Sequence, residues 1–593
     1  MAYHYVAPLA DMRFVLEHVL AAPASWARCA AFAELDIDTA AAVLGEAGRF
    51  AGEVLQPLNA AGDREGCRID AEGQVRTPEG FAAAYQAFVD AGWPALPCDA
   101  AWGGQGLPLA LDAALREMLS ACNHGWSMYP DLLHGAYETV KAHGSEALKD
   151  RYLREIATGR TLAAMALTEP QAGSDLGALR TKAEPQPDGS LRISGSKIFI
   201  SGADHDLTHD VVHLVLCRLP DSPAGSKGLS LALVPKWLPQ GERNAWVVDS
   251  LEHKMGIHGS ATCALRYEGA TGWLVGEPHR GLAAMFLMMN SARLHVGLQG
   301  LGHQEMATQN ALRQVFERRQ FKMPLAHMPA MRHLVLRLQA KTEAQRVIAY
   351  RAALAIDEMH HHEDEAVRRR AGGLAALLTP VVKAFCTHHG FHGAAAAQQA
   401  FGGYGYTREV GIEQTVRDAR IAMVYEGTNE IQAIDLLQRK VLADGGGALE
   451  DWLVECEAEA TCAEAAAAPF VPSATRAPHA APAWPEGAEF AAALRAQIGR
   501  AREATASVAA AARNDADAPL RVADDYLFGV GHLLLAWAFT ASARAAAGQA
   551  DQPFAAAKLE RMRYGLRHVL PQAEVHWRRV LDVHLSLPAL RAP

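Results

Sequence analysis

Apolar residues recur at helical spacing over the first part of the chain. Phe14, Val15 and Leu16 with Val19 and Leu20, then residues 40–55, then 81–88, each place an apolar stripe on one face. Pro94, Pro97 and the turn Gly103-Gly104-Gln105-Gly106 break the pattern before another helical run. Residues 1–160 therefore read as a mostly helical domain. Over 161–275 the period changes to short β-rich runs at 191–200, 211–216, 229–234 and 264–267, separated by Gly, Pro and Asp clusters. This pattern predicts a small antiparallel β barrel or sandwich. Helical spacing returns over 276–445. A connecting segment, 446–486, contains an Ala/Pro-rich stretch at 463–485 that reads as a linker. Residues 487–593 form an alanine-rich helical extension, and its Leu527, Val530, Leu533, Leu534, Leu535 and Trp537 must pack on something. The expected fold class is mainly α with a central β domain, a helical bundle and a C-terminal helical extension.

One local pattern suggests chemistry. Met423-Val424-Tyr425-Glu426-Gly427-Thr428-Asn429-Glu430-Ile431-Gln432 sets a carboxylate directly before a glycine and a threonine. Gly427 lets the backbone approach a ligand closely. Thr428 is a good N-cap for a helix over 429–442, whose free N–H groups would face that ligand. Glu426, held on such a loop, can act as a general base. An ordinary capped helix with a surface glutamate would show the same local pattern.

The same run resembles the catalytic segment of the acyl-CoA dehydrogenase family, and further motifs follow that family's order. Ala166-Leu167-Thr168-Glu169-Pro170-Gln171-Ala172-Gly173-Ser174-Asp175 is similar to its flavin-contacting loop. Ile193-Ser194-Gly195-Ser196-Lys197-Ile198-Phe199-Ile200-Ser201-Gly202 is similar to its second flavin segment. Glu317-Arg318-Arg319-Gln320-Phe321 resembles a Glu-Arg-x-x-Phe element, and Gln399-Ala400-Phe401-Gly402-Gly403-Tyr404-Gly405-Tyr406 resembles a glycine turn that receives cofactor phosphates. The opening Tyr3-His4-Tyr5-Val6-Ala7-Pro8 and the run Ser201-Gly202-Ala203-Asp204-His205-Asp206 look like a longer subgroup, the 3-methylmercaptopropionyl-CoA dehydrogenases.

The resemblance implies FAD-dependent α,β-dehydrogenation of an acyl-CoA thioester to the trans-2-enoyl-CoA. It makes Glu426 the α-proton base and leaves the acyl group open between 3-(methylthio)propanoyl and other short, medium or long chains. It places Met165, Leu167, Thr168, Gly173, Ser174, Phe199 and Ser201 around the flavin. Arg318 and Phe321 would meet the diphosphate and adenosine half, and Gln399, Gly402 and Gly403 would receive that half from a partner subunit. Thr428 and Glu430 complete the implied cofactor set. Ser174, Asn290, Arg293, Tyr425 and Gly427 are implied on the substrate side, with Arg293 on the CoA. Phe199, Ser201, Gln171 and Asn290 stand where the family more often has Trp, Thr, Gly and Asp. An electron acceptor such as an electron-transfer flavoprotein and a homodimer are also implied. The alternatives are an acyl-CoA oxidase passing electrons to oxygen, or a non-catalytic nucleic-acid-associated superfamily member.

Composition narrows these options. A formal net charge of -10 gives no basic footprint for nucleic acid. The nine cysteines form no Cys-x-x-Cys pair, so neither a disulfide framework nor a zinc site is expected, and reduced thiols suggest a cytoplasmic protein. The N-terminus lacks a secretory pattern, and apolar stretches such as 533–539 are too short to span a bilayer, so no transmembrane segment is expected. His360-His361-His362 invites a metal reading, but consecutive helical residues point to different sides, so a solvated face and no metal are expected.

Overall fold

The structure, a computed structural model, describes residues 3–467, 484–549, 552–585 and 588–590. The helical readings of the N-terminal part hold and lengthen. Ile37–Arg49 runs on through Phe50–Leu55 into Gln56–Glu65, started by the Asp36 carboxylate accepting from the Thr39 N–H at 2.7 Å. Phe81–Asp90 follows. The helix Leu109–Ser127 is buried on every face, as a helix through the centre of a large core must be.

Between Thr161 and Val275 lie the strands of one sheet: β1 Thr161–Ala166, β2 Lys182–Pro185, β3 Leu191–Ser201, β4 Asp210–Cys217, β5 Ser230–Pro235, β6 Trp246–Leu251 and β7 Thr262–Val275. The order is β1-β4-β5-β7-β3-β2, with β6 also on β7. The expected runs correspond to β3, β4, β5 and β7. The sheet is mixed, however, not purely antiparallel, because β1 pairs parallel with β4. The sequence Thr-Leu-Ala-Ala-Met-Ala of β1 has little β propensity, which hid it. The β2–β3 hairpin fills the long crossover that a parallel pair needs. Residues 211–217 of β4 are all buried, hence their continuous apolar run, whereas β3 alternates in its first half.

The helical bundle consists of Gly281–Glu317, Pro329–His361, Glu365–Val381 continuing to Gln398, Ile412–Ala419, and Asn429–Ile434 continuing to Leu442. Residues 447–467, expected to be a connecting segment ending in the linker, form the helix Gly447–Ala467. The alanine content that suggested a linker here is also good helix composition. The remainder of the expected linker, 468–483, lies outside the described residues. Most of the histidine run is a solvated face, with His360, His361 and Glu363 exposed, and His362 is the exception. The helix ends at His361, and buried His362 accepts from the Asp364 N–H at 3.0 Å.

The extension is a helical bundle of Gly487–Ala512, Ala518–Ala547, Pro553–Tyr564 and Ala573–Leu581. Among the described residues Ala518–Ala547 is the one helix long and apolar enough to cross a membrane, and its most apolar stretch is buried inside the protein. It packs on Pro329–His361 and on Asn429–Ile434, so the extension supports the helix that begins at the Glu426 loop.

Candidate active site

The sheet, the helix Gly281–Glu317 and the segment around Glu426 line a cleft of about 980 Å³. Met165, Leu167, Thr168, Gly173 and Ser174 come from the end of β1 and the loop after it. Phe199 and Ser201 come from β3, and Tyr425, Glu426, Gly427 and Thr428 from the opposite wall. Along the helix, Leu282, Phe286, Met289, Arg293, Val296 and Gln299 recur every three or four residues and give the cleft a single wall. Of the neighbouring apolar residues, Met285 and Met288 are core, Met289 lines the cleft and Leu287 is partly in solvent.

Glu426 and Gly427 both have left-handed backbone, with φ of 57° and 81°. For a non-glycine residue this costs about 1–3 kcal/mol and persists only where surroundings enforce it. The Gln432 amide donates to the Glu426 carbonyl at 2.9 Å, and the Lys383 ammonium donates to the Gly427 carbonyl at 2.7 Å. The positive φ at Gly427 favours glycine, and a Cβ there would also press the Gln432 amide nitrogen at 2.7 Å. Thr428 caps the following helix through the Ile431 N–H at 3.4 Å. Burial pushes the Glu426 carboxyl up to about 7, against the pull of Arg293 and Lys383.

Arg293 is only 5% exposed. Its guanidinium lies 3.4 Å from both the Asp435 carboxylate and the Asn290 amide oxygen, while among the described residues its Nε has no partner. Arg293 therefore faces the interior near Glu426, and Asn290 stays exposed at the surface outside the cleft lining.

The loop after β1 is fixed from beneath. Fully buried Lys197 donates to the Leu167 and Leu216 carbonyls at 2.8 and 2.9 Å and to Glu169 at 2.9 Å. Glu169 also accepts from the Arg180 and Thr181 N–H groups at 2.7 and 3.0 Å. Burial alone would raise its carboxyl, but Lys197 and these donors hold it at about 2. Gln171 adds its own amide to the Glu169 carboxylate at 2.7 Å, so this departure braces the loop.

The inner end of the cleft is polar. Tyr425 OH hydrogen-bonds Gln299 Oε1 and lies 3.1 Å from His124 Nε2, and His124 Nδ1 meets His303 Nε2 at 2.9 Å. Gln299 donates to Asp131 at 2.7 Å. Burial holds His124 down at about 4, so it is neutral at ordinary pH.

Arg318, Phe321, Gln399, Gly402, Gly403 and Glu430 do not line the cleft. Arg318 lies 5.9 Å from the Tyr404 ring, which brings the Glu-Arg-x-x-Phe element against the glycine turn on another surface. Phe321, Tyr404 and Tyr406 are 83%, 63% and 88% exposed there. Glu430 is exposed on the first turn of Asn429–Ile434.

Family models for the acyl-CoA dehydrogenase N-terminal, middle and C-terminal domains match residues 37–160, 164–270 and 279–441. A model described as acetyl-CoA dehydrogenase C-terminal like matches 457–591. The chain belongs to the acyl-CoA dehydrogenase family. It is 42% identical over 459 residues to the 3-methylmercaptopropionyl-CoA dehydrogenase of Ruegeria pomeroyi, covering 74% of this chain and 77% of that one. It is 34% identical over 474 residues to a broad-specificity linear acyl-CoA dehydrogenase of Mycobacterium tuberculosis, covering 75% and 77%. The fold is shared with an acyl-CoA dehydrogenase from Bacillus anthracis solved in complex with FAD, at TM-score 0.73, 20% identity and coverage of 95% and 91%. As a family member the protein is an oxidoreductase, and its five motifs sort into the cleft group and the Arg318 group just described. Sequence reading missed Lys383, Gln432, Gln299, His124 and Asp131. Gln432 lies inside the quoted run but was given no role, and the others lie outside a recognised motif or far along the chain from the loop they meet. Lys383 alone gave a signal, as a lone cation in an apolar helix.

Proposed function

We propose that this protein catalyses FAD-dependent α,β-dehydrogenation of an acyl-CoA thioester, with Glu426 as the base. The observation that carries the reading is the Glu426 loop: a carboxyl raised to about 7 faces the same cleft as the Thr168, Ser174 and Ser201 hydroxyls. Among the described residues those hydroxyls have no hydrogen-bond partner within the chain, and Phe199 is 58% exposed to the cleft. A Cβ on Gly173 or Gly403 would meet nothing within 4 Å, and neither has positive φ, so the chain itself does not demand glycine at these places. Free hydroxyls, an open aromatic face and glycines that leave room all fit a large flat cofactor with a diphosphate. FAD, when bound, supplies the hydride acceptor.

The chain's own residues supply the acid–base part. The Glu426 carboxylate takes the α-proton, and its N–H, unpartnered among the described residues, is available to the thioester carbonyl, where negative charge develops. Burial of Glu426 keeps the base near neutral pKa. The polar floor supports a short acyl group. Met128 Sδ, a thioether, already lies 3.4 Å from Tyr425 OH and 3.7 Å from the Gln299 amide, so these donors accept a thioether neighbour. That suits 3-(methylthio)propanoyl-CoA, in line with the Ruegeria relative. Purified protein should bleach its flavin with 3-(methylthio)propanoyl-CoA and butyryl-CoA, and barely with palmitoyl-CoA. Assays with an artificial acceptor and then with oxygen separate a dehydrogenase, using an electron-transfer flavoprotein, from an oxidase. Failure of every acyl-CoA to reduce the flavin overturns the proposal.

The Arg318 group supports a second copy of the chain in the complete cofactor site. Arg318→Ala should weaken FAD retention and assembly together, read by flavin content and light scattering. We propose a homodimer, with the extension covering the surface where further pairing would occur. Scattering at four subunits, or a dilute monomer fully loaded with FAD, counts against it. All nine cysteines are free, with Cys462 exposed, which supports a reducing, cytoplasmic setting.

A further inference from the structure

Lys383 lies in the helical stretch Val382–Cys386, far in sequence from the base, and is fully buried. A lysine so buried carries a desolvation cost unless its charge has a use. Its ammonium donates to the Gly427 carbonyl at 2.7 Å and to Asn429 Oδ1 at 3.0 Å. Asn429 is itself held, accepting from Thr387 Oγ1 at 3.2 Å and donating to the Ala384 carbonyl at 3.1 Å. One helix thus grips both sides of the left-handed Glu426–Gly427 pair's exit, and Gln432 grips its entry.

We propose that Lys383 is a positioning residue for the reaction: its buried ammonium holds the strained Glu426 loop in its working conformation and, while protonated, favours ionisation of the base. This rests on Glu426 as the base. The charged groups acting on Glu426 are Arg293 from Gly281–Glu317, Asp131 from the turn after Leu109–Ser127, and Lys383. Those acting on Lys383 are Glu426, Arg293 and Glu430. Arg293 is tied to Asp435, so its charge is partly compensated, while Lys383 bonds only neutral oxygens. Burial brings Lys383 down to about 7, against the pull of Glu426, so the two groups titrate in the same range.

The test compares Lys383→Met with Lys383→Arg in the FAD-loaded protein. Loss of a positive charge disfavours the carboxylate, so the acidic limb of the kcat/KM profile should move up by about one pH unit in Lys383→Met. kcat should fall about 10–100-fold with KM changed less than about threefold, because an interaction acting on the base and not on CoA binding is lost. Lys383→Arg should restore most of the rate and return the limb toward the parent position. Deuterium exchange at the α-carbon of a bound 3-thia-acyl-CoA, which reports proton removal without hydride transfer, should slow in parallel in Lys383→Met. An unmoved acidic limb, with kcat lowered only in proportion to lost flavin or lost folded protein, shows a purely structural lysine and overturns the proposal. Equal rates of exchange in Lys383→Met and the parent overturn it as well. Failure of the base assignment itself shows separately, as normal turnover by Glu426→Gln.

Discussion

Glu426→Gln should retain the fold and bound FAD but lose roughly three orders of magnitude in turnover. General acid–base groups contribute about 10²–10⁴-fold. Glu430 points away from the cleft and is exposed. Asp131 lines the cleft but is engaged with Gln299. The amide is nearly isosteric, and the loop's backbone is held by Gln432 and Lys383, not by the Glu426 carboxylate, so folding should survive. In the parent enzyme kcat/KM should rise with pH through about 7, because the raised carboxyl must lose its proton before it can accept one from substrate. Stopped-flow flavin reduction measures both. Turnover by the variant within about tenfold of the parent, with its pH limb unchanged, would move the base elsewhere.

How much of this was legible depends on how local each signal is. The Glu426–Thr428 turn, the loop after β1 and the strand β3 are contiguous segments whose chemistry and period are written in adjacent residues, and the structure brings them to one cleft. Strands β3, β4 and β5 showed through because branched and apolar residues dominate them. β1 and Gly447–Ala467 did not, since alanine-rich sequence is nearly neutral between strand, helix and linker until tertiary packing decides. The polar floor was invisible for a different reason. Tyr425, Gln299 and His124 come from three separate segments, and no spacing rule links them. His388 and His389 likewise meet Phe528 and His532 of the extension, which no spacing in the sequence links to them.

Removing residues 484–593 should give an aggregating protein without activity. Leu527, Val530, Leu533, Leu534 and Leu535 are at most 1% exposed and Trp537 is 8% exposed, and each such side chain contributes about 1.5–3 kcal/mol by leaving water. Their removal also bares the apolar surface they cover on Pro329–His361 and Asn429–Ile434. Charges are orphaned too. Fully buried Lys558 pairs with Asp11 and with Glu343, the latter at 3.0 Å, and Arg561 adds a second bond to Glu343. Breaking a buried pair from one side costs about 3–5 kcal/mol, because the remaining charge stays desolvated. Asn429–Ile434 begins at the Glu426 loop, so loss of its outer packing should reach Glu426 before the rest of the bundle opens. A milder variant separates this from wholesale collapse. Trp537 packs edge-on against Trp452 at 4.8 Å, and Trp537→Ala should cost about 3–5 kcal/mol, read as a lowered melting temperature with the flavin released early. A monodisperse truncated protein with full turnover would show that the extension is not needed to hold the catalytic helix.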